Sequence, residues 1–335
     1  MNFEIKMWEE IESDFADGTL LLGNGASIAV SGRFAYSSLM EHAKEHGLMD
    51  YNVKKLFSFF KTDDFELVLR LVWQSTNINL ALQIEDDKTR DTYIHVRDCL
   101  IKAVRNIHPE YKDVSDQLPK IYKFIKKFKT VLSLNYDLIL YWAVMHGQSV
   151  NDMHGVKDCF IFGEFDEDWR RFREPYLYEN KTTLVFYPHG SLVLCRNIVE
   201  SEFKITSSYH LLESILSEWG FEEVVPLFVS EGTVEQKIKS IKNSNYLNTI
   251  YREVLASIST KLVIYGWNIG EQDMHILDRV RHSVVKEVAI SVYGGNQGYC
   301  NRVEQIIRDR LRSDIIIKFF DSQSPNCWNN KSHNR

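Results

Sequence analysis

The sequence predicts an α/β fold built on a parallel sheet. Short apolar runs, each the length of a buried strand, alternate with segments of helical periodicity, which is typical of a parallel sheet covered by helices. Five of these runs end at small or polar residues, and such sheets bind ligands beyond the carboxyl ends of their strands. The five ends are Gly23-Asn24-Gly25, Asn135-Tyr136-Asp137, His189-Gly190, Gly266 and Gly294-Gly295.

The composition argues against several classes of protein. The chain has 335 residues, 44% of them hydrophobic, which is enough for a large core. The formal net charge of -6 gives no overall attraction to nucleic acid or anionic lipid, and no apolar run approaches the ~20 residues of a membrane helix. We therefore expect no direct nucleic-acid binding and no membrane partner.

Cysteine usage points to a reducing compartment. The five cysteines are an odd number, and none forms a C-x-x-C pair. This pattern predicts neither a disulfide framework nor a structural zinc site. The acidic 164–168 segment lacks interleaved histidines, so we expect no metal there either. The predicted location is cytoplasmic.

The first half of the chain predicts two strands separated by a long helical stretch. Residues 3–16 are expected to form a helix and residues 19–22 the first strand. A further helix is predicted over 37–43, and helical periodicity dominates 37–129, with Asp63 or Asp64 capping one helix. The basic segment 120–129 is interpreted as a solvated helix face rather than a polyanion site. A strand at 130–134 and a helix at 138–145 follow.

The second half predicts four more strands. An irregular connection over 151–180 leads to a strand at 182–187, and residues 201–255 are expected to be helical, with a break around Pro226 and Gly232. Strands at 261–265, 287–293 and 315–320 then alternate with helices at 273–284 and 300–311. We predict a single domain over 1–321, with helical insertions at about 36–129 and 200–256 and a polar, frayed tail at 322–335.

The turn after the first strand is rich in small residues. Gly23, Asn24, Gly25 and Ser27 leave room for backbone N–H groups to approach a phosphate, and a helix N-terminus favours negative charge. An ordinary tight turn between strand and helix remains the alternative. Arg33 is a further candidate phosphate contact.

Two later strand ends carry candidate catalytic groups. Unlike the His-Gly pairs that begin at His146 and His154, His189 ends an apolar strand, and an imidazole can accept a proton near neutral pH. Asn135 can hold a water or a hydroxyl through its amide, although an Asx-turn cap is the alternative. Asp137 is expected to bond local backbone, and Asp273 to cap the helix that begins near it.

Four motifs together resemble a known family. The segments GNGAS, LNYD, YPHGS and GWNIGEQDMHI, in that order between Gly23 and Ile276, are similar to the motifs of bacterial sirtuin-like NAD-binding domains. Such domains occur as NAD-depleting effectors of antiphage and abortive-infection systems. The resemblance implies a Rossmann-like parallel sheet of sirtuin type. It also implies Asn135 and His189 as catalytic residues, and as NAD-binding residues Gly23, Asn24, Gly25, Ser27, Asp137, Gly266, Asp273 and His275.

The resemblance implies an NAD⁺ glycohydrolase that cleaves NAD⁺, its substrate, to nicotinamide and ADP-ribose without a metal. ADP-ribosyl transfer or cyclisation at the same site, and a non-catalytic nucleotide sensor, remain alternatives. The paired cysteines of the deacetylase zinc ribbon are absent, so deacetylation is not expected. Control is expected to come from a homo-oligomer or a co-encoded subunit. Trp169, Phe172 and Tyr176 are the candidate contacts, unless they pack on the chain's own helices.

Overall fold

The computed structural model describes residues 2–35, 38–197, 199–206, 210–220, 224–229 and 232–332. Parts of the predicted insertions and tail lie outside the described residues, namely 36–37, 207–209, 221–223, 230–231 and 333–335. The strands are β1 Ile5–Lys6, β2 Thr19–Leu22, β3 Thr130–Ser133, β4 His154–Lys157, β5 Phe160–Ile161, β6 Glu164–Phe165, β7 Lys181–Phe186, β8 Gly190–Asn197, β9 Glu202–Lys204, β10 Val224–Phe228, β11 Lys261–Tyr265, β12 Glu287–Val292 and β13 Ile316–Asp321.

Helices account for most of the remaining described residues. They are α1 Trp8–Phe15, α2 Asn24–Val30, α3 Leu39–Glu45, α4 Tyr51–Phe60, α5 Phe65–Ala81, α6 Asp87–Ile107, α7 Tyr111–Val114, α8 Leu118–Ile125, α9 Ile139–Val150, α10 Leu211–Glu218, α11 Val234–Lys242, α12 Asn245–Thr249, α13 Met274–Val280 and α14 Gln297–Arg310. Short 3-10 turns and one π-helical turn, Ile250–Val254, join some of them.

Eight strands form one parallel sheet, in the order β1-β13-β12-β11-β2-β3-β7-β4. Every pair in this sheet is parallel, so the predicted α/β class is confirmed. All four side chains of β2 and of β3 are buried, as expected for strands covered on both faces. Leu22 lies opposite Tyr265 and Ser133 in the register, so β11, β2 and β3 end side by side.

The long predicted helical stretch forms α3 to α8. Asp64, rather than Asp63, caps α5 by accepting a hydrogen bond from Leu67 N–H at 3.2 Å. On α8, Ile121, Phe124 and Ile125 are buried, so the apolar side of this basic segment faces the core and its lysines face outward. That part of the sequence prediction is confirmed.

A second, antiparallel sheet was not predicted. Its order is β10-β8-β9-β6-β5, and it replaces part of the predicted helix over 201–255 and of the irregular connection over 151–180. Pro226 lies in the edge strand β10, where the missing N–H is tolerated. β5, β6 and β9 have only two or three residues each, so pairing between distant segments stabilises them more than local periodicity does. β8 is a buried apolar strand of eight residues, a sequence signal that the prediction left out.

The two ends of the chain also differ from the predictions. The expected helix over 3–16 is a short strand, β1, followed by α1, because Ile5 and Lys6 pair with β13. The helix after the first strand begins at Asn24 and not at residue 37. The predicted frayed tail is wrong for residues 322–332: Cys327 and Trp328 are buried, and Trp328 Nε1 donates to the carbonyl of Ala26 at 2.8 Å. Its indole packs against Tyr265 of β11.

The described helices include none with the combination of length and apolar character that crossing a membrane requires.

Candidate functional site

A cleft of about 1000 Å³ opens at the carboxyl ends of the central strands. The loops after β2, β3, β7 and β11 all reach its wall, as expected where parallel strands end together. Residues away from the strand ends also line it, including Phe34, Leu39, the loop between α4 and α5, and the start of α11. Eight of the ten predicted site residues line the cleft: Gly23, Asn24, Gly25, Asn135, Asp137, His189, Gly266 and Asp273. The pair Gly294-Gly295 does not.

The glycine-rich turn is packed tightly against the end of β11. Gly23 N–H donates to the carbonyl of Tyr265 at 2.9 Å, and Gly25 N–H donates to that of Gly266 at 2.6 Å. A Cβ at Gly23 would lie 2.5 Å from Trp267 Cβ, and one at Gly25 would lie 2.7 Å from the Gly266 oxygen. The glycines are therefore needed for close packing of two backbones. Both N–H groups are used inside the protein, which reduces what the turn offers to a phosphate.

Asn135 ties the loop after β3 to this turn. Its Nδ2 donates to the Gly23 carbonyl at 3.0 Å and to Ser27 Oγ at 2.8 Å. Among the described residues, none donates a hydrogen bond to Asn135 Oδ1. The amide nitrogen is thus structural, and the amide oxygen is the group available to a ligand.

Ser27 and Asp137 lie deeper than Asn135. Ser27 Oγ is buried and donates to Asp137 Oδ2, while Asp137 Oδ1 accepts from Ile139 N–H at 2.9 Å. Burial raises the pKa of the Asp137 carboxyl, and the hydrogen bonds from Ser27 and Ile139 oppose that rise. Asp137 therefore bonds local backbone, as expected. Ser27 itself does not line the cleft; it is hydrogen-bonded to Asn135 and Asp137, which do.

His189 is held at the junction of the two sheets. Its carbonyl accepts a hydrogen bond from Val229 N–H at 2.7 Å, and Gly190 after it has a φ of +76° that favours glycine. The side chain is 4% exposed. Its Nε2 lies 3.0 Å from Nε2 of His275 and 4.0 Å from Oδ1 of Asp273.

Burial keeps both imidazoles neutral. It lowers the pKa of His189 to about 3; Asp273 opposes the change, and Lys237 and His275 add to it. Burial likewise lowers the pKa of His275 to about 4, again opposed by Asp273. A neutral His189 is the form that can accept a proton.

Asp273 does not cap α13 through its side chain, contrary to expectation. Its Oδ1 instead accepts a hydrogen bond from Lys237 Nζ at 2.8 Å. Lys237 was missed by sequence reasoning. The sequence signal was the helical spacing that places Lys237 on the same face of α11 as Ser240 and Ile241, which is the buried face. A lysine on a buried face is unusual unless it is paired.

The ligand atoms of His189, Asp273 and His275 all lie within 4.8 Å of one another. Imidazole nitrogens and a carboxylate oxygen are donors that transition metals accept. The ammonium of Lys237 already supplies the carboxylate with a counter-charge, so the cluster is electrically balanced as it stands. We treat it as a hydrogen-bonded group.

The aromatic residues predicted as partner contacts mostly pack inside the chain. Trp169 is buried against Phe186, with ring centroids 5.7 Å apart, and Phe172 packs on the same core. Only Tyr176 of the three is exposed. Trp169 and Phe172 thus pack inside the chain, as the alternative interpretation expected, although the ring that Trp169 contacts belongs to strand β7 and not to a helix.

The fold and the cleft define an α/β protein with a candidate ligand site at the carboxyl ends of a parallel sheet. The family described as "Domain of unknown function (DUF4917)" matches residues 20–328, and the chain belongs to that family. No curated protein shows significant similarity to this chain.

Proposed function

We propose that the protein is an NAD⁺ glycohydrolase, which cleaves NAD⁺ to nicotinamide and ADP-ribose. The observation that carries the proposal is the meeting of four sequence motifs in one cleft. The glycine-rich turn, Asn135, His189 and the segment from Gly266 to Asp273 come from distant parts of the chain and share its wall. The cleft's volume lies at the upper end of the usual range for small-molecule sites, about 300–1,000 Å³.

The chemistry assigns separate roles to the two candidate catalytic residues. Cleavage of the bond between nicotinamide and C1′ leaves the electron pair on the nicotinamide nitrogen and positive charge on the ribose. Asn135 Oδ1 would orient a water or a ribose hydroxyl next to that carbon. As the water oxygen bonds to C1′, its proton would pass to the imidazole of His189, which burial keeps neutral.

The direct test is to incubate the purified protein with NAD⁺ and separate the products by chromatography. Equal amounts of nicotinamide and ADP-ribose are expected. A cyclic product or a modified protein acceptor would instead identify a cyclase or a transferase that uses the same site. NAD⁺ that stays intact at every protein concentration, with and without the products of neighbouring genes, would reject the enzymatic proposal.

A specific observation favours a second candidate, a non-catalytic nucleotide sensor. Asn135 Nδ2 is committed to the glycine-rich turn, and His189 Nε2 faces His275. A binding module needs neither group free. Calorimetry with ADP-ribose and NAD⁺ separates the two candidates, since a sensor binds without consuming the ligand.

The biological setting that we propose is cytoplasmic NAD⁺ depletion in a bacterial antiphage system. An enzyme of this kind is harmful to its own cell, so the resting protein has to be nearly inactive. We propose that assembly, as a homo-oligomer or with a co-encoded subunit, switches it on. Residues from both predicted insertions line the cleft, including Lys61 after α4 and Lys237 on α11. A partner that binds and shifts these insertions would therefore change the shape of the site.

A further inference from the structure

Lys237 is a buried charge beside the candidate catalytic histidine. Its side chain is 5% exposed, and its Nζ lies 2.8 Å from Asp273 Oδ1. A buried ammonium is costly unless it is paired. Asp273 is the carboxylate that pairs with it, and the same carboxylate oxygen lies 4.0 Å from His189 Nε2.

Four side chains therefore form one connected group, from Lys237 through Asp273 to His189 and His275. The ammonium and the carboxylate cancel, and the two imidazoles are neutral. The Nε2 atoms of the imidazoles are 3.0 Å apart, so one of them carries the hydrogen.

We propose that Lys237 is a positioning residue that satisfies Asp273 and so keeps the His189–His275 pair free of an extra proton. The proposal rests on the proposed function, because it explains how His189 stays able to accept a proton. Without the ammonium, the buried carboxylate of Asp273 lacks a counter-charge. The nearest groups that can supply one by taking up a proton are the two imidazoles, and a protonated His189 cannot act as a base.

The surroundings of the two histidines contain few other charges. His189 is influenced by Asp273 and Lys237 from the neighbouring elements and by His275. Asp137, on the loop after β3, is turned toward Ser27 and Ile139. His275 is also influenced by Asp278 of its own helix and lies near the ring of Tyr251. Glu271, which also lines the cleft, is exposed.

The first experiment reads protonation directly and needs no substrate. Histidine-labelled protein is titrated by NMR, with His189 and His275 assigned from single substitutions. In the wild type we expect both rings to stay neutral from neutral pH down to mildly acidic pH. In Lys237→Met the apparent pKa of the pair should rise by about one pH unit or more. Lys237→Arg should restore the wild-type titration.

The control is Lys239→Met, an exposed lysine on the same helix, which should leave the titration unchanged. If Lys237→Met does not fold, the double variant Lys237→Met/Asp273→Asn removes both charges, and its imidazoles should again titrate as in the wild type. A pair that stays neutral in Lys237→Met, or becomes protonated in the double variant, would overturn the proposal. Neither result depends on NAD⁺ cleavage, so failure here is distinct from failure of the proposed function.

The second experiment measures how Lys237→Met changes turnover. We expect the acid limb of the kcat profile to move to higher pH by the same amount as the pKa of the pair, with KM little changed. A rise in KM without this pH dependence would mean that Lys237 binds the substrate instead. Stoichiometric metal in the wild-type protein that is lost in His275→Ala would replace the proposed hydrogen-bonded group with a metal centre.

Discussion

At the scale of single residues, the candidate site is built from side chains that join distant segments. Asn135, after β3, holds the turn after β2, and His189, after β7, meets His275 on α13. A substitution at either position therefore removes a chemical group and also a contact between segments. Activity and stability have to be measured together on the same variant.

His189→Ala and Asn135→Ala should each abolish NAD⁺ loss, because one removes the base and the other the oxygen that orients the nucleophile. Asn135→Ala should also lower the free energy of unfolding by about 1 kcal/mol or more, since two hydrogen bonds to the turn are lost. Chromatography of the nucleotides and denaturant unfolding measure the two effects.

The matched control is His146→Ala, in another His-Gly pair that lies on α9 away from the cleft. It should retain wild-type activity. Wild-type turnover in His189→Ala or Asn135→Ala would remove that residue from the proposed mechanism.

Glu66 is a buried carboxyl on α5 that links stability to pH. Burial raises its pKa to about 7, Asp64 adds to the rise, and Arg70 opposes it. Between pH 4.5 and 7 the folded protein keeps a proton that the unfolded chain releases, so this group contributes stability at low pH that is lost as the pH rises. The free energy of unfolding of Glu66→Gln, relative to wild type, should therefore increase by up to about 1.4 kcal/mol per pH unit across that window.

Urea unfolding at several pH values measures this difference. Ser75→Ala, which changes no titrating group at an exposed position of α5, should show a constant difference from wild type over the same range. A constant difference for Glu66→Gln as well would mean that its carboxyl titrates normally in the folded protein.

At the scale of elements, the turn after β2 and the end of β11 depend on each other. Gly266 has a φ of +68°, and a Cβ there would lie 2.4 Å from Ala26 N. Gly266→Ala should destabilise the protein by about 2 kcal/mol or more, through backbone strain and the clash with α2. Thermal unfolding measures the loss.

Gly32→Ala provides the comparison, because a Cβ at Gly32 meets nothing within 4 Å. Its effect should stay within about 0.5 kcal/mol, as for ordinary surface changes. Equal effects of the two substitutions would show that the turn can move away from β11.

The central strands were predictable because they are apolar on both faces. The predicted strands at 19–22 and 261–265 coincide with β2 and β11. Those at 130–134 and 287–293 are one residue longer than the observed strands, and those at 182–187 and 315–320 are displaced from them by one residue. The edge strands β1 and β4 and the whole second sheet were missed. Most of these strands, β1, β5, β6 and β9, have only two or three residues, so pairing with distant partners defines them.

The site was predictable at strand ends and not elsewhere. Asn135 and His189 follow apolar runs, so their place in a parallel sheet could be inferred from the sequence. Lys237 lies on a helix far from any strand end. Its contact with Asp273 exists only because α11 packs beside the 3-10 turn Glu271–Asp273, and helical periodicity does not specify which helix packs where.

At the scale of the whole molecule, the C-terminal segment is part of the core. Removal of residues 322–335 should prevent stable folding, because it deletes the buried Trp328; replacing a buried tryptophan by alanine alone typically costs about 3–5 kcal/mol. Circular dichroism and thermal unfolding test this. A chain ending at Asn330 keeps the contacts of Trp328 with Ala26 and Tyr265 and should fold normally.

The proposed control by assembly predicts that specific activity rises with protein concentration. Isolated monomers should turn over NAD⁺ slowly, and activity should appear together with a larger species, or when the co-encoded subunit is added. Mass photometry beside the activity assay measures both quantities. A monomer with full, concentration-independent turnover would rule this control out.

The contact between Trp328 and Ala26 has a consequence for biosynthesis. Ala26 belongs to the helix that starts at the glycine-rich turn, and its partner lies 302 positions later in the chain. That wall of the cleft therefore cannot reach its final packing until residue 328 has left the ribosome. Translation itself then delays the candidate activity, and a prematurely terminated chain lacks a finished cleft.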